Sequence, residues 1–100
     1  MATINALPHT SKQAKVFVIS EDDGTKTLMY QNHPIAILQS NHWLELVPGC
    51  SKWAHYHQDN FVRTYAPNVS LEAVNILRVN HLAINTDTGE VSSHSSLLGI

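Results

Sequence analysis

The chain has 100 residues, of which 43% are hydrophobic and 14% are charged, and its formal net charge is −2. This length predicts a single domain spanning residues 1–100 with one modest core, and the hydrophobic fraction excludes a disordered chain. The negative charge and the scattered lysines and arginines argue against a protein that binds nucleic acid by neutralising phosphates.

Cysteine content and hydropathy indicate the cellular compartment in which the protein is expected. Cys50 is the only cysteine, so no intramolecular disulfide can form, and a secreted disulfide scaffold is excluded. The N-terminal residues lack the apolar run of a signal peptide. The longest apolar runs, Val16–Ile19 and Ile35–Leu38, are too short to cross a bilayer. We therefore expect a soluble, cytoplasmic protein without a membrane partner.

The first half of the chain predicts β-structure. Residues 1–13 have no clear period and predict a partly ordered tail, or a strand added late to a sheet. The β-branched and aromatic runs 14–20 and 25–31 flank a turn at Asp23-Gly24, where glycine accepts a positive φ. These two runs predict an antiparallel hairpin.

Two further strands are predicted over residues 35–39 and 42–47. Pro34 lacks an N–H group and is expected to break the preceding strand, and Pro48-Gly49 ends the last one. The first four predicted strands together form an antiparallel meander.

The second half is less regular. Residues 50–67 have no clean period and predict either a short helix or a structured loop lying on the sheet. Ser70 is a suitable N-cap, so we predict a helix over 70–78, although its β-branched residues also permit a strand. A second hairpin is predicted from 79–85 and 90–93. The expected fold is α+β and mainly β: a curved antiparallel sheet of about four to six strands, one covering helix and an aromatic-rich loop.

Two histidines suggest a metal site. In extended backbone, His55 and His57 would point to the same side and reach one zinc ion, with Cys50 as a third ligand. The string H-x-H-x-D resembles the opening of the metallo-β-lactamase motif and, with Gly49, the first cupin motif. Asn60 stands where the first family has a histidine, and the cupin glutamate is missing. We expect no cofactor, and a zinc-binding domain or metal-dependent enzyme is the alternative.

Other catalytic motifs have little support. Asp87-Thr88-Gly89 resembles the aspartic-protease triplet, but it lies near the end of the chain, and a type I turn explains it. No glycine-rich phosphate loop is present, since the four glycines are isolated. We expect a binding domain rather than an enzyme.

The stretch 28–65 contains six of the seven aromatic residues, more than a small sheet can bury. Trp and Tyr beside Arg are typical of protein-binding hot spots, and the same mixture can stack on single-stranded bases. We therefore expect a surface that binds a protein partner. The alternative is that this surface binds single-stranded nucleic acid. Its predicted residues are Trp53, Tyr56, Arg63, Tyr65 and Lys52.

About a third of the chain resembles a pattern in small phage accessory proteins. The matching residues are Tyr30, Pro34-Ile35-Ala36, Leu44, Leu46, Ser51-Lys52-Trp53 and His57. The resemblance implies a mobile-element protein of the class that includes anti-CRISPR proteins, which act in the host cytoplasm. It therefore implies a host protein as partner, such as a CRISPR–Cas component, and inhibition as the outcome of binding. The low charge and the apolar end Leu97–Ile100 further predict a homodimer.

Overall fold

A computed structural model describes residues 2–7, 15–47, 51–80 and 82–92 of the chain. These residues form seven strands and two helices, in which no helix has the length and hydropathy needed to cross a membrane. In chain order the elements are β1 (Thr3–Ala6), β2 (Val16–Ser20), β3 (Lys26–Tyr30), β4 (His33–Leu38), β5 (Trp43–Leu46), α1 (Lys52–Tyr65), α2 (Leu71–Asn80), β6 (Ala83–Asn85) and β7 (Val91–Ser92).

The strands form one open antiparallel sheet in which each strand pairs with the next in sequence. Among the described residues, β1 and β7 are therefore its two edges. The two helices are inserted between β5 and β6 and lie on one face, with α1 packed against β3 and β4 and α2 against β5. The predicted α+β class with mainly β-structure is confirmed.

The predicted first hairpin is confirmed in its pairing, with Val18 of β2 opposite Leu28 of β3. Gly24 has φ 96°, as the turn requires. The Asp23 carboxylate accepts a hydrogen bond of 2.9 Å from the N–H of Thr25. This bond favours the charged form and lowers the pKa of Asp23.

Pro34 lies within β4 and does not break the sheet. The register between β3 and β4 shifts at Leu28 and Met29, so that Ala36 and Pro34 lie opposite these two residues and Ile35 is the extra residue. A bulge is one of the few places in a sheet where a residue without an N–H is tolerated. The bulge turns Ile35 into the core, where it is buried.

The core lies between the helices and the sheet. Strand alternation directs one set of side chains from each strand toward the helices, and the apolar faces of α1 and α2 cover them. The large apolar side chains exposed by no more than 1% are Leu7, Val18, Leu28, Leu44, Leu46, Phe61, Val62, Val74 and Leu77. The opposite face of the sheet carries half-buried apolar side chains, namely Phe17, Ile19, Met29, Ile37 and Trp43.

Helix α1 replaces the aromatic-rich loop of the expected fold. Its N-cap is Ser51, whose Oγ accepts a hydrogen bond of 3.2 Å from the N–H of Ala54. The buried stripe has regular helical spacing, but three of its positions are polar, His57, Gln58 and Asn60. Because polar residues occupy these core positions, hydrophobic periodicity did not reveal the helix.

Other boundaries also differ from the expectation. The sheet has seven strands in the described residues rather than four to six, partly because residues of the expected tail form β1. The helix predicted over 70–78 is confirmed as α2, with Ser70 Oγ accepting a bond of 3.1 Å from the N–H of Ala73. It continues to Asn80, so β6 is shorter than predicted.

Candidate functional site

Helix α1 turns four of the predicted site residues to solvent. Its buried stripe faces the sheet, which leaves Lys52, Trp53, Tyr56 and Arg63 exposed. We call these four side chains the outer face of α1. Trp53 is 64% exposed and Tyr56 48% exposed, which is unusual for the two largest aromatic side chain types.

The two exposed rings contact each other. Trp53 and Tyr56 are three residues apart, so the helix places them one above the other. Their ring centroids are 6.2 Å apart, with an interplanar angle of 82°, which is an edge-to-face contact. Tyr56 also contacts the buried ring of His57, with centroids 5.4 Å apart. Each of the two exposed rings therefore has an aromatic neighbour on α1.

The outer face of α1 is positively charged. No acidic residue occupies the first turn of α1, where Lys52 lies, and Arg63 lies in its last turn. Within the described part of the chain, neither cation forms an ion pair. The nearby carboxylate of Asp59 is paired with Arg78 at 3.1 Å instead. A chain with net charge −2 thus presents two cations on the same helix as two exposed aromatic rings.

Tyr65 lies on a different side of α1 from the other four predicted residues. It is half-buried and packs on Phe61, with ring centroids 5.2 Å apart. The Lys26 ammonium lies 5.6 Å from the centroid of the Tyr65 ring, within cation–π range. These contacts connect α1 to β3, so Tyr65 does not contribute to the outer face of α1.

A buried polar cluster sets the position of α1. Gln58 Nε2 donates hydrogen bonds of 2.7 Å to the carbonyl of Ile35 and 3.1 Å to that of Val47. Arg78 Nη1 donates to Gln58 Oε1 and to Asp59 Oδ1, both at 3.1 Å. We call Gln58, Asp59 and Arg78 the Arg78 cluster. It connects α2 to α1 and α1 to the sheet.

Sequence reasoning assigned no role to the Arg78 cluster, although a signal was present. Arg78 shares one helical face with Val74 and Leu77, both of which are buried. An arginine on an apolar helix face indicates a buried partner, because an unpaired charge is costly to bury. Its partner is 19 residues earlier in the chain, which spacing alone does not identify.

The histidines proposed as zinc ligands point in different directions. A shared zinc ion requires extended backbone at these residues, but His55 and His57 lie on α1, where residues two apart are about 200° apart around the axis. His57 is buried against Tyr30, with ring centroids 5.0 Å apart. Cys50 lies outside the described residues, which contain no group of three His, Cys, Asp or Glu side chains suited to a metal.

Burial also changes the protonation of these histidines. It lowers the pKa of His57, and it is the main cause that lowers the pKa of His55, where the positive charge of Arg78 adds to the effect. His57 Nδ1 and His55 Nε2 are buried, and no described residue forms a hydrogen bond with either atom. Both side chains therefore favour the neutral form.

Asp87-Thr88-Gly89 lies in the turn between β6 and β7. Asn85 Oδ1 accepts hydrogen bonds from the N–H groups of Asp87 and Thr88, at 2.9 and 3.2 Å. Gly89 has φ 78° and donates to the carbonyl of Asn85 at 2.8 Å. Asp87 is exposed, and its carboxylate lies 3.4 Å from His42 Nε2. The geometry is that of a hairpin turn.

Comparison with known families, curated proteins and solved structures finds no match for this chain. The resemblance to small phage accessory proteins therefore stays a prediction. The outer face of α1 carries exposed aromatic rings and cations on one side of a helix.

Proposed function

We propose that this chain is a non-catalytic binding domain that contacts a protein partner through the outer face of α1. The observation that carries the proposal is the exposed, edge-to-face pair of Trp53 and Tyr56. A monomer gains nothing from holding two large aromatic rings in water, whereas a partner that covers them removes apolar area from solvent.

The residue types of this face suit a binding hot spot. Trp, Tyr and Arg are enriched among the interface residues whose truncation costs most. The rings stand on a helix with a capped N-terminus, and each ring contacts a neighbour. Little conformational entropy remains to be lost on binding, which favours affinity.

Charge indicates what kind of protein surface would fit. No described acidic side chain forms an ion pair with Lys52 or Arg63. A partner with carboxylates near an apolar patch would therefore complement both the rings and the cations. We propose a host protein of this chemistry as the partner, and inhibition of that protein as the consequence. The resemblance to phage accessory proteins supports a component of a defence system, such as CRISPR–Cas.

Single-stranded nucleic acid is the competing occupant of the same four side chains. Bases stack on exposed aromatic rings, and phosphates pair with lysine and arginine. Such binding weakens steeply with added salt because counterions are released. A protein interface centred on Trp53 and Tyr56 depends mainly on apolar burial and is much less sensitive to salt.

The test compares variants in capture from a bacterial lysate and then in affinity for the purified captured protein. We expect the wild type to retain one protein, and Trp53→Ala and Tyr56→Ala to lose it. Truncating a true anchor should cost about 2 kcal/mol or more, which is about thirtyfold in affinity. Val91→Ala, which changes an exposed apolar residue on β7, is the matched control and should bind as the wild type does.

Two outcomes contradict the proposal. Equal affinity of all variants for the captured protein would place the binding surface away from α1. Tight, salt-sensitive binding of a labelled single-stranded oligonucleotide, lost in Trp53→Ala and in Arg63→Ala, would instead assign this face to nucleic acid.

A further inference from the structure

Strand β1 forms an open edge of the sheet. Its four residues, Thr3–Ala6, are all exposed, and Ile4 is 72% exposed. They pair with β2 on one side, and no described residue pairs with them on the other. An edge of this kind offers unpaired backbone donors and acceptors to a further strand.

The ladder identifies which backbone groups point outward. The N–H of Glu21 donates to the carbonyl of Thr25 at 2.8 Å, and the N–H of Gln31 donates to that of Lys15 at 3.1 Å. In an antiparallel pair, hydrogen-bonded residues alternate, so the odd-numbered residues of β2 turn their backbone groups toward β3. The even-numbered residues, including Val18 and Ser20, must then turn theirs toward β1.

The register between β1 and β2 then identifies the residues of β1 whose backbone groups bind β2. Asn5 lies opposite Val18 and Thr3 opposite Ser20, so Thr3 and Asn5 use their backbone groups inside the sheet. The N–H and C=O groups of Ile4 and Ala6 therefore point away from β2. Their side chains lie on the helix-free face, because their β2 partners are Ile19 and Phe17.

This edge lacks the features that normally prevent pairing. The sequence Thr-Ile-Asn-Ala contains no charge and no proline, and its pairing with β2 has no bulge. The other edge strand of the described sheet, β7, has two described residues, Val91 and Ser92. A head-to-tail contact between β1 and β7 would be short and would extend into an open chain of subunits, whereas β1 against a second β1 closes at two.

We propose that β1 is the dimerisation edge of this protein, where it pairs antiparallel with β1 of a second copy. In a two-fold arrangement centred on Asn5, Ile4 of each copy lies opposite Ala6 of the other. All four outward backbone groups of each strand are then hydrogen-bonded. The Ile4 side chains extend the apolar helix-free face across the junction, and no charged side chain of β1 opposes the contact.

The first experiment measures mass by light scattering over a micromolar dilution series. The wild type should have twice the chain mass of 11.1 kDa. Ile4→Pro removes an outward N–H that the monomer does not use, so it should halve the mass and leave the monomer folded. Ile4→Val keeps that N–H and should remain dimeric. A monomeric wild type, or a folded Ile4→Pro variant that stays dimeric, would refute the proposal.

Hydrogen exchange on the unmodified protein gives an independent test, which holds even if the proline variant unfolds. The amides of Ile4 and Ala6 should be protected at high concentration and lose protection on dilution. Those of Thr3 and Asn5, bonded to β2, should stay protected throughout. A dimer in which Ile4 and Ala6 exchange rapidly would use another surface, such as residues 97–100. Since Trp53→Ala should still dimerise, this inference stands or fails separately from the proposed function.

Discussion

Arg78 Nη1 lies 3.1 Å from Gln58 Oε1, and this contact joins the two helices inside the protein. Through Gln58 Nε2 the connection continues to the carbonyl of Ile35, the extra residue of the bulge in β4. Three elements distant in sequence are thus held by side-chain hydrogen bonds in a buried region, where such bonds are hardest to replace. The outer face of α1 takes its orientation from this arrangement.

Gln58→Leu should lower the free energy of unfolding by about 2 kcal/mol, because two hydrogen bonds to backbone carbonyls and one from Arg78 are lost in a buried site. Urea denaturation measures the effect. Gln31→Leu, at an exposed position, is the matched control and should change stability by no more than about 0.5 kcal/mol. Equal effects of the two changes would show that the buried hydrogen bonds are not stabilising.

Arg78→Lys should be strongly destabilising although it keeps the charge. The guanidinium donates to Gln58 and Asp59 through Nη1 and to Asn75 through Nη2, a geometry that a single ammonium cannot reproduce. We expect a loss of about 2 kcal/mol in thermal or urea unfolding. Arg63→Lys makes the same change on the exposed side of α1 and should have almost no effect, which isolates the role of burial.

Stability should decrease in mild acid because of the buried histidines. Burial lowers the pKa of His57 in the folded chain, whereas in the unfolded chain it returns to about 6.5. Between these two values the unfolded chain binds more protons, so acid favours unfolding. The contribution of His57 to the free energy of unfolding is therefore complete above about pH 6.5 and decreases as the pH falls below that value.

The variant His57→Phe keeps an aromatic ring beside Tyr30 and removes the titrating group. Its unfolding free energy should depend less on pH below neutrality than that of the wild type. His33→Gln, at an exposed position on β4, serves as the control and should retain the wild-type slope. A slope unchanged in His57→Phe would assign the acid sensitivity to other groups.

Two aromatic residues of α1 should respond oppositely to truncation. Phe61→Ala removes a fully buried ring and should cost about 3–5 kcal/mol of stability. Trp53→Ala removes a ring that is mostly in water and should cost about 0.5 kcal/mol or less. Melting temperatures of the two variants provide the comparison. Early melting of Trp53→Ala would show that its ring belongs to the core.

Purified protein should contain less than one zinc ion per chain. His55 and His57 diverge around the axis of α1, and two ligands without a matched third do not make a stable zinc site. Elemental analysis of protein prepared without chelator measures the content. Stoichiometric zinc that disappears on replacing both histidines would support the metal-binding alternative.

The sequence by itself determined part of the local structure of this protein. Alternating runs around Asp23-Gly24 predicted the pairing of β2 with β3, and Ser70 predicted the start of α2. These features depend on neighbours a few residues away, where backbone conformation and turn chemistry act directly. Trp53, Tyr56, Lys52 and Arg63 all lie in one short stretch, and their role in binding a partner stays a prediction.

Only the tertiary structure decided which side of α1 meets water. His57 is buried because its ring packs on Tyr30, and Gln58 is buried because it donates a hydrogen bond to the carbonyl of Ile35. Hydrophobic periodicity cannot detect such partners. For the same reason Tyr65 packs against Phe61, whereas Trp53, which is also a large aromatic residue, stays exposed. Burial of a polar or aromatic side chain depends on partners from distant parts of the chain, and those partners exist only after the sheet and both helices have assembled.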